Sequence, residues 1–187
     1  MKKYWHIAWM LLGLLVFATG CKDDDDDDIV IDEAWKTANV DAFNRKMQDP
    51  EMEYINSETG NGKILYKVLK KGEGTEPIYF NSKVECYYKG CLISDKKGNY
   101  VADLNNVMTE GKVFDKHWKE DGDDPAIFEV NHVVEGWTTA LQHMHVGDRW
   151  EIWIPYQLGY KETGHGREIP PCSTLVFQLE VASIVEQ

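Results

Sequence analysis

The run Val133-Val134-Glu135-Gly136-Trp137, followed by Val146-Gly147-Asp148-Arg149, Leu158-Gly159-Tyr160, Gly164-His165, Ile169-Pro170-Pro171 and Thr174-Leu175-Val176-Phe177, decides the architecture of this chain. Residues 149–154 alternate, with Trp150, Ile152 and Ile154 on one face and Arg149, Glu151 and Trp153 on the other, the period of a strand packed on one side. Residues 174–182 repeat that pattern through Leu175, Phe177, Leu179 and Val181. Just before the first strand, Trp137, Ala140, Leu141 and Met144 recur at helical spacing, predicting a short helix that the two apolar strand faces cover. Trp137 opens that helix, at the rim of the sheet, where its ring can floor a cavity. Taken this far, the residues describe a small β-rich domain with an aromatic cleft.

Several separated motifs then fall in the order of one family. They are Leu65-Tyr66-Lys67-Val68-Leu69, Val84 to Gly90 with Tyr88, Val113-Phe114-Asp115, the Val133 to Trp137 run, the Val146-Gly147 turn, Tyr160, and Ile169-Pro170-Pro171 through Phe177. From about Gly62 onward the chain resembles an FKBP-type peptidyl-prolyl cis-trans isomerase. The resemblance implies an α+β fold, a bent antiparallel β-sheet of five to six strands wrapped around one short α-helix, with an N-terminal helix added in this chain. It implies a catalytic pocket of Tyr88, Phe114, Asp115, Val133, Val134, Trp137, Tyr160 and Phe177, with Ala126, Phe128, His165 and Ile169 as substrate-binding positions.

The implied roles are specific. The prolyl ring rests on Trp137, the Val134 N–H binds the substrate peptide, the Tyr160 hydroxyl meets a substrate carbonyl, and Asp115 orients Tyr88 or faces the twisted amide. The implied partners are proline-containing polypeptides and ligands of the macrolide immunosuppressant type, with no cofactor and no metal. Two positions depart from the family pattern. Ala126 stands where an aromatic often closes the pocket, and residues 91–112 form an insertion longer than the usual connection. Within it Asp95-Lys96-Lys97-Gly98-Asn99 has turn chemistry, so a hairpin or flap beside the pocket and a decorated surface loop are both open.

The amino terminus speaks to location. Lys2 and Lys3 precede an apolar run from Ile7 to Ala18, and Ala18-Thr19-Gly20-Cys21 ends it with small residues before a cysteine. This resembles a bacterial lipoprotein signal over residues 1–20, with Cys21 as the lipidated residue and membrane attachment through that lipid in the cell envelope, at the outer membrane; an uncleaved anchor and a soluble secreted form are the alternatives. Lys22 and the six aspartates Asp23 to Asp28 belong to an acidic tether over 21–31. They are either a solvated spacer or, by resemblance to surface lipoproteins of some Gram-negative cells, a signal for outward display. The run lacks the Gly and terminal Glu of an EF-hand loop, so no calcium site is expected there.

Residues 32–61 are expected to form a helical arm. Trp35, Ala38, Ala42, Phe43 and Met47 fall near one stripe, acids open it, and Arg45 and Lys46 close it before Asp49-Pro50. Such an arm either docks on its own domain or serves as a spacer, and in related two-part isomerases a helical arm dimerises, so the oligomeric state is open. The whole chain of 187 residues carries 20 basic and 32 acidic side chains, formally -12. That balance opposes nucleic-acid binding, which needs a cationic footprint. Beyond Cys21, the odd number of cysteines left (Cys86, Cys91 and Cys172) cannot all pair within the chain. His143 and His145 stand without acidic or cysteine partners in sequence, so no metal site is expected there. Three functions are compatible with these residues: a prolyl isomerase for exported proteins, a non-catalytic peptide-binding or chaperone module, and a surface interaction lipoprotein that works through its insertion.

Overall fold

A computed structural model describes residues 29–186; the signal segment, Cys21 and the aspartate run lie outside the described residues. The chain order is α1 (Glu33–Lys46), β1 (Glu53–Asn56), β2 (Lys63–Lys70), β3 (Lys83–Leu92), a one-turn helix α2 (Val107–Glu110), β4 (Val113–His117), β5 (Ala126–Glu129), α3 (Glu135–Leu141), β6 (Arg149–Ile154) and β7 (Leu175–Glu186). All strands pair antiparallel in one seven-stranded sheet, ordered β1-β2-β6-β7-β3-β4, with β5 also on β3.

This exceeds the five to six strands expected. β1 lies inside the stretch 32–61 expected to be a helical arm, and pairs Ile55 with Ile64 of β2. Its four residues sit at a sheet edge with mostly exposed side chains, too short a run for alternation to betray it.

The sheet is buried on both faces, and this positions everything else. On the concave face, Trp150, Ile152 and Ile154 of β6 and Leu175, Phe177, Leu179 and Val181 of β7 enclose Trp137, Ala140, Leu141 and Met144 from α3 and the turn after it. Gly136 lets α3 approach so closely, because a Cβ there would come 2.4 Å from the Ile154 side chain. On the convex face a second core joins Trp153 and Val176 to Ala42 and Phe43 of α1 and to Ile93, Val101, Val107 and Met108 of the 91–112 segment. Trp153, expected to face away from packing, is therefore fully buried, with its indole N–H donating to Glu151 at 2.8 Å.

Helix α1 is capped by the Asp32 carboxylate, which accepts from the N–H groups of Ala34 and Trp35. It docks on its own domain. Asn39 Oδ1 accepts the Thr174 backbone N–H at 2.7 Å, the Thr174 hydroxyl donates to the Asn39 carbonyl, and the Trp35 indole donates to Ser173. Lys46, only 5 % exposed, reaches Asp49 and Asn105. Across from it the 95–99 turn forms as its residues predict, the Asp95 carboxylate accepting from Lys97 and Asn99. Cys86 lies in the first core and Cys91 in the second, and both are free, as is Cys172.

Candidate functional site

A cavity of about 360 Å³ opens on the concave face at the start of α3. Strand β3 supplies Tyr88, β4 supplies Phe114 and Asp115, β5 supplies Phe128, and β7 supplies Phe177. The turn into α3 supplies His132, Val133 and Val134, the first turn of α3 supplies Trp137, and the loop between β6 and β7 supplies Tyr160 and His165. All eight residues expected to be catalytic line it, as do Phe128 and His165 of the substrate-binding set. Ala126 and Ile169 do not. Ala126 faces Cys86 across the β3–β5 ladder, and Ile169 is buried in the core, its backbone exchanging two hydrogen bonds with His165. Ile169 thus shapes the His165 loop from behind.

Trp137 is the centre of an edge-to-face aromatic cluster. Its ring lies 5.3 Å from Tyr88, 5.0 Å from Phe128 and 5.3 Å from Phe177, and Phe114 meets Phe177 edge-on at 5.4 Å. Such contacts each contribute about 0.5–1.5 kcal/mol beyond burial, so the wall is held in one arrangement. Gly90 makes the close approach possible, since a Cβ on it would lie 2.5–2.6 Å from the Phe114 and Phe177 rings. A glycine inside a strand is the sequence signal of this approach, and it went unread.

Polar groups stand at the rim. The Tyr88 hydroxyl donates to Asp115 Oδ2 at 2.7 Å, and burial followed by that bond holds the phenol well above its ordinary pKa. Tyr160 is stacked on His165 at 4.6 Å, and its hydroxyl makes no hydrogen bond among the described residues. Burial, then the charge of Asp115, raises its pKa, so it stays a donor at neutral pH. Val134 precedes α3 in extended conformation and its N–H finds no described acceptor. Val134 N–H and Tyr160 O–H, on residues that line the cavity, thus lack partners among the described residues, as does the buried indole N–H of Trp137. His132, paired with Glu129 at 2.9 Å, is the lining residue the sequence reading missed, and His117, stacked on Tyr88 at 5.7 Å, stands behind the wall. No cluster of three metal-ligating side chains occurs among the described residues.

The 91–112 segment contributes nothing to this lining. It covers the convex face, so it is neither a flap over the cavity nor a loose surface loop. Regular alternation could not show this, because Ile93 and Val101 flank the isolated Ser94–Tyr100 bridge and Leu104, Val107 and Met108 come from two single-turn helices.

Comparison with known proteins agrees with the geometry. A family model described as FKBP-type peptidyl-prolyl cis-trans isomerase matches residues 75–182. The chain is 37% identical over 138 residues, 74% of its length, to the FKBP-type 22 kDa peptidyl-prolyl cis-trans isomerase of Escherichia coli, covering 57% of that protein. It is 30% identical over 121 residues, 65% of its length, to the outer membrane protein MIP of Legionella longbeachae, covering 44% of that protein. It therefore spans about half the length of the curated relatives it matches. A crystal structure of a peptidyl-prolyl cis-trans isomerase from Pseudomonas syringae superposes with a TM-score of 0.64 at 28% identity, over 84% of this chain and 98% of that one.

Proposed function

The chain belongs to the FKBP-type peptidyl-prolyl cis-trans isomerases, and from that premise we propose that it isomerises Xaa-Pro bonds of proteins folding in the cell envelope. The observation that carries this reading is the pairing of an all-aromatic floor with two unpartnered donors, Val134 N–H and Tyr160 O–H, at its edge.

The chemistry needs no nucleophile. Rotation about the amide faces a barrier of about 18–20 kcal/mol, most of it resonance, and an Xaa-Pro bond takes roughly tens to hundreds of seconds unaided. The twisted amide is less polar than the planar one, so a dry aromatic site favours it. In this reading Trp137 carries the prolyl ring, flanked by Phe114, Phe128, Val133 and Phe177. Val134 N–H and Tyr160 O–H hold flanking carbonyls, which fixes the chain on either side while the bond turns. Asp115, bonded to Tyr88, presents its remaining carboxylate surface to the twisted amide. An acceleration of about a million-fold asks for about 8 kcal/mol from these contributions together. Macrolides of the immunosuppressant type would compete for the same floor.

The test is the cis-to-trans relaxation of a short Xaa-Pro peptide series with the purified protein. We expect acceleration by the parent, and a loss of about tenfold on Tyr160→Phe, the value of one hydrogen bond made in the transition state. No acceleration by the folded parent across the series would leave a peptide-binding module instead. For location, we propose cleavage before Cys21, lipidation of that cysteine and attachment to the outer membrane. In support, residues 18–21 have the form of a lipoprotein signal, and the Legionella longbeachae relative carries the name outer membrane protein. Metabolic labelling with a palmitate analogue should mark the protein, and Cys21→Ser should abolish the label; labelling that survives that change defeats this assignment.

A further inference from the structure

On the other side of Val133 a second cleft of about 210 Å³ opens between the turn that follows β1 and the outer face of α3. Val133 lines both cavities, so the two adjoin across it. Its walls hold two carboxylates, Glu58 and Glu135, and the ring of Phe80, which is 56% exposed.

The carboxylates differ in how they are held. Glu135 Oε1 accepts from the hydroxyls of Ser57 and Thr59, and Oε2 accepts from the Asn61 amide at 3.2 Å. Burial by itself would push the Glu135 carboxyl up, but these donors, with the charge of Lys161, bring it below its ordinary value. A carboxylate offers about four acceptor directions, so one on Oε2 is left over. Glu58 is exposed and makes no ion pair among the described residues. An aromatic face beside two carboxylates is the chemistry that recognises an ammonium or guanidinium.

The spacing fixes where on the client that group sits. Glu135, Thr138, Thr139 and Gln142 run along the cleft from one to eight positions past Val134, so its middle lies about 7 Å along the helix at 1.5 Å per residue. An extended chain covers that distance in about two to three residues. Building on the isomerase reading, we propose that this cleft is a specificity subsite for a Lys or Arg side chain of the client, two to three residues from the proline. Phe80 stacks on the cation, and Glu58 and Glu135 neutralise it.

The experiment places Lys, Ala or Glu at each of four positions on either side of proline and reads both relaxation rate and equilibrium binding, the latter by tryptophan fluorescence. The expected result is a preference for Lys over Glu of about three- to tenfold, confined to one position two to three residues from proline on one side. Glu58→Gln and Phe80→Ala should each shrink that ratio, and Glu58→Lys should invert it. A ratio equal at every position would reflect the net charge of the protein and overturn the subsite, as would a ratio untouched by the three substitutions. Position-specific Lys preference in binding without acceleration would sink the isomerase reading and leave the subsite standing. Acceleration of the alanine series without position dependence would do the reverse.

Discussion

Gly90 bears directly on the cavity although it touches no substrate. Its missing Cβ admits the Phe114 and Phe177 rings, so Gly90→Ala should force them apart, destabilise the fold by about 1–3 kcal/mol and lower kcat/KM with it. Thermal unfolding beside peptide relaxation checks both. Tyr88 gives a second residue-scale expectation. Folding raises its pKa above that of the unfolded chain, so the stability it contributes is complete below about pH 10 and declines as the pH climbs beyond it. Tyr88→Phe should flatten part of that alkaline decline in a series of denaturant melts; an unchanged slope would show that the phenol titrates freely. Apart from Trp137, the residues that line the cavity were named through the resemblance alone, because only the order of the separated motifs, and no single one of them, marks them out from core aromatics. Gly90 and His132 were not, since what they do depends on neighbours from other strands.

The elements divide into those whose partners are near in sequence and those whose partners are not. Helix α3 was readable from the stripe Trp137, Ala140, Leu141 and Met144, all buried as spaced. The α1 stripe was only half readable. Ala42 and Phe43 face the second core, but Asn39 and Lys46 are buried too, and Met47 is 36% exposed. A polar residue is legible as core only when its partner is known, and the partner of Asn39 is Thr174, 135 positions away. Asn39→Ala should therefore leave the buried Thr174 N–H unsatisfied and lower stability by about 1–3 kcal/mol, read from urea midpoints at unchanged m-value. The 91–112 segment taught the same lesson. Its apolar residues left a flap and a surface loop both open because the surface they cover, Trp153 and Val176, comes from strands read as single-faced.

At the scale of the molecule, two cores share one sheet, and β6 and β7 contribute alternate residues to each. Unpacking the convex face therefore loosens strands that line the cavity on the other. We expect a single unfolding transition with equal calorimetric and van't Hoff enthalpies, and with fluorescence and far-ultraviolet dichroism coincident; two resolved steps would mean that the layers melt separately. The sheet order carries a further consequence for biogenesis. The strand of this sheet that comes last in sequence, β7, sits in the middle, between β6 and β3, and carries Phe177 to the cavity and Val176 to the underside of α1. Helix α1 and β3 appear early and wait, because their principal docking surface arrives only with β7. Vectorial emergence from a ribosome or a translocation pore thus allows two native half-sheets, β1-β2-β6 and β4-β3-β5, to pair first, and β7 joins them as one late event with a high loop-closure cost. A fold ordered this way stays two hinged halves until its central strand arrives to join them.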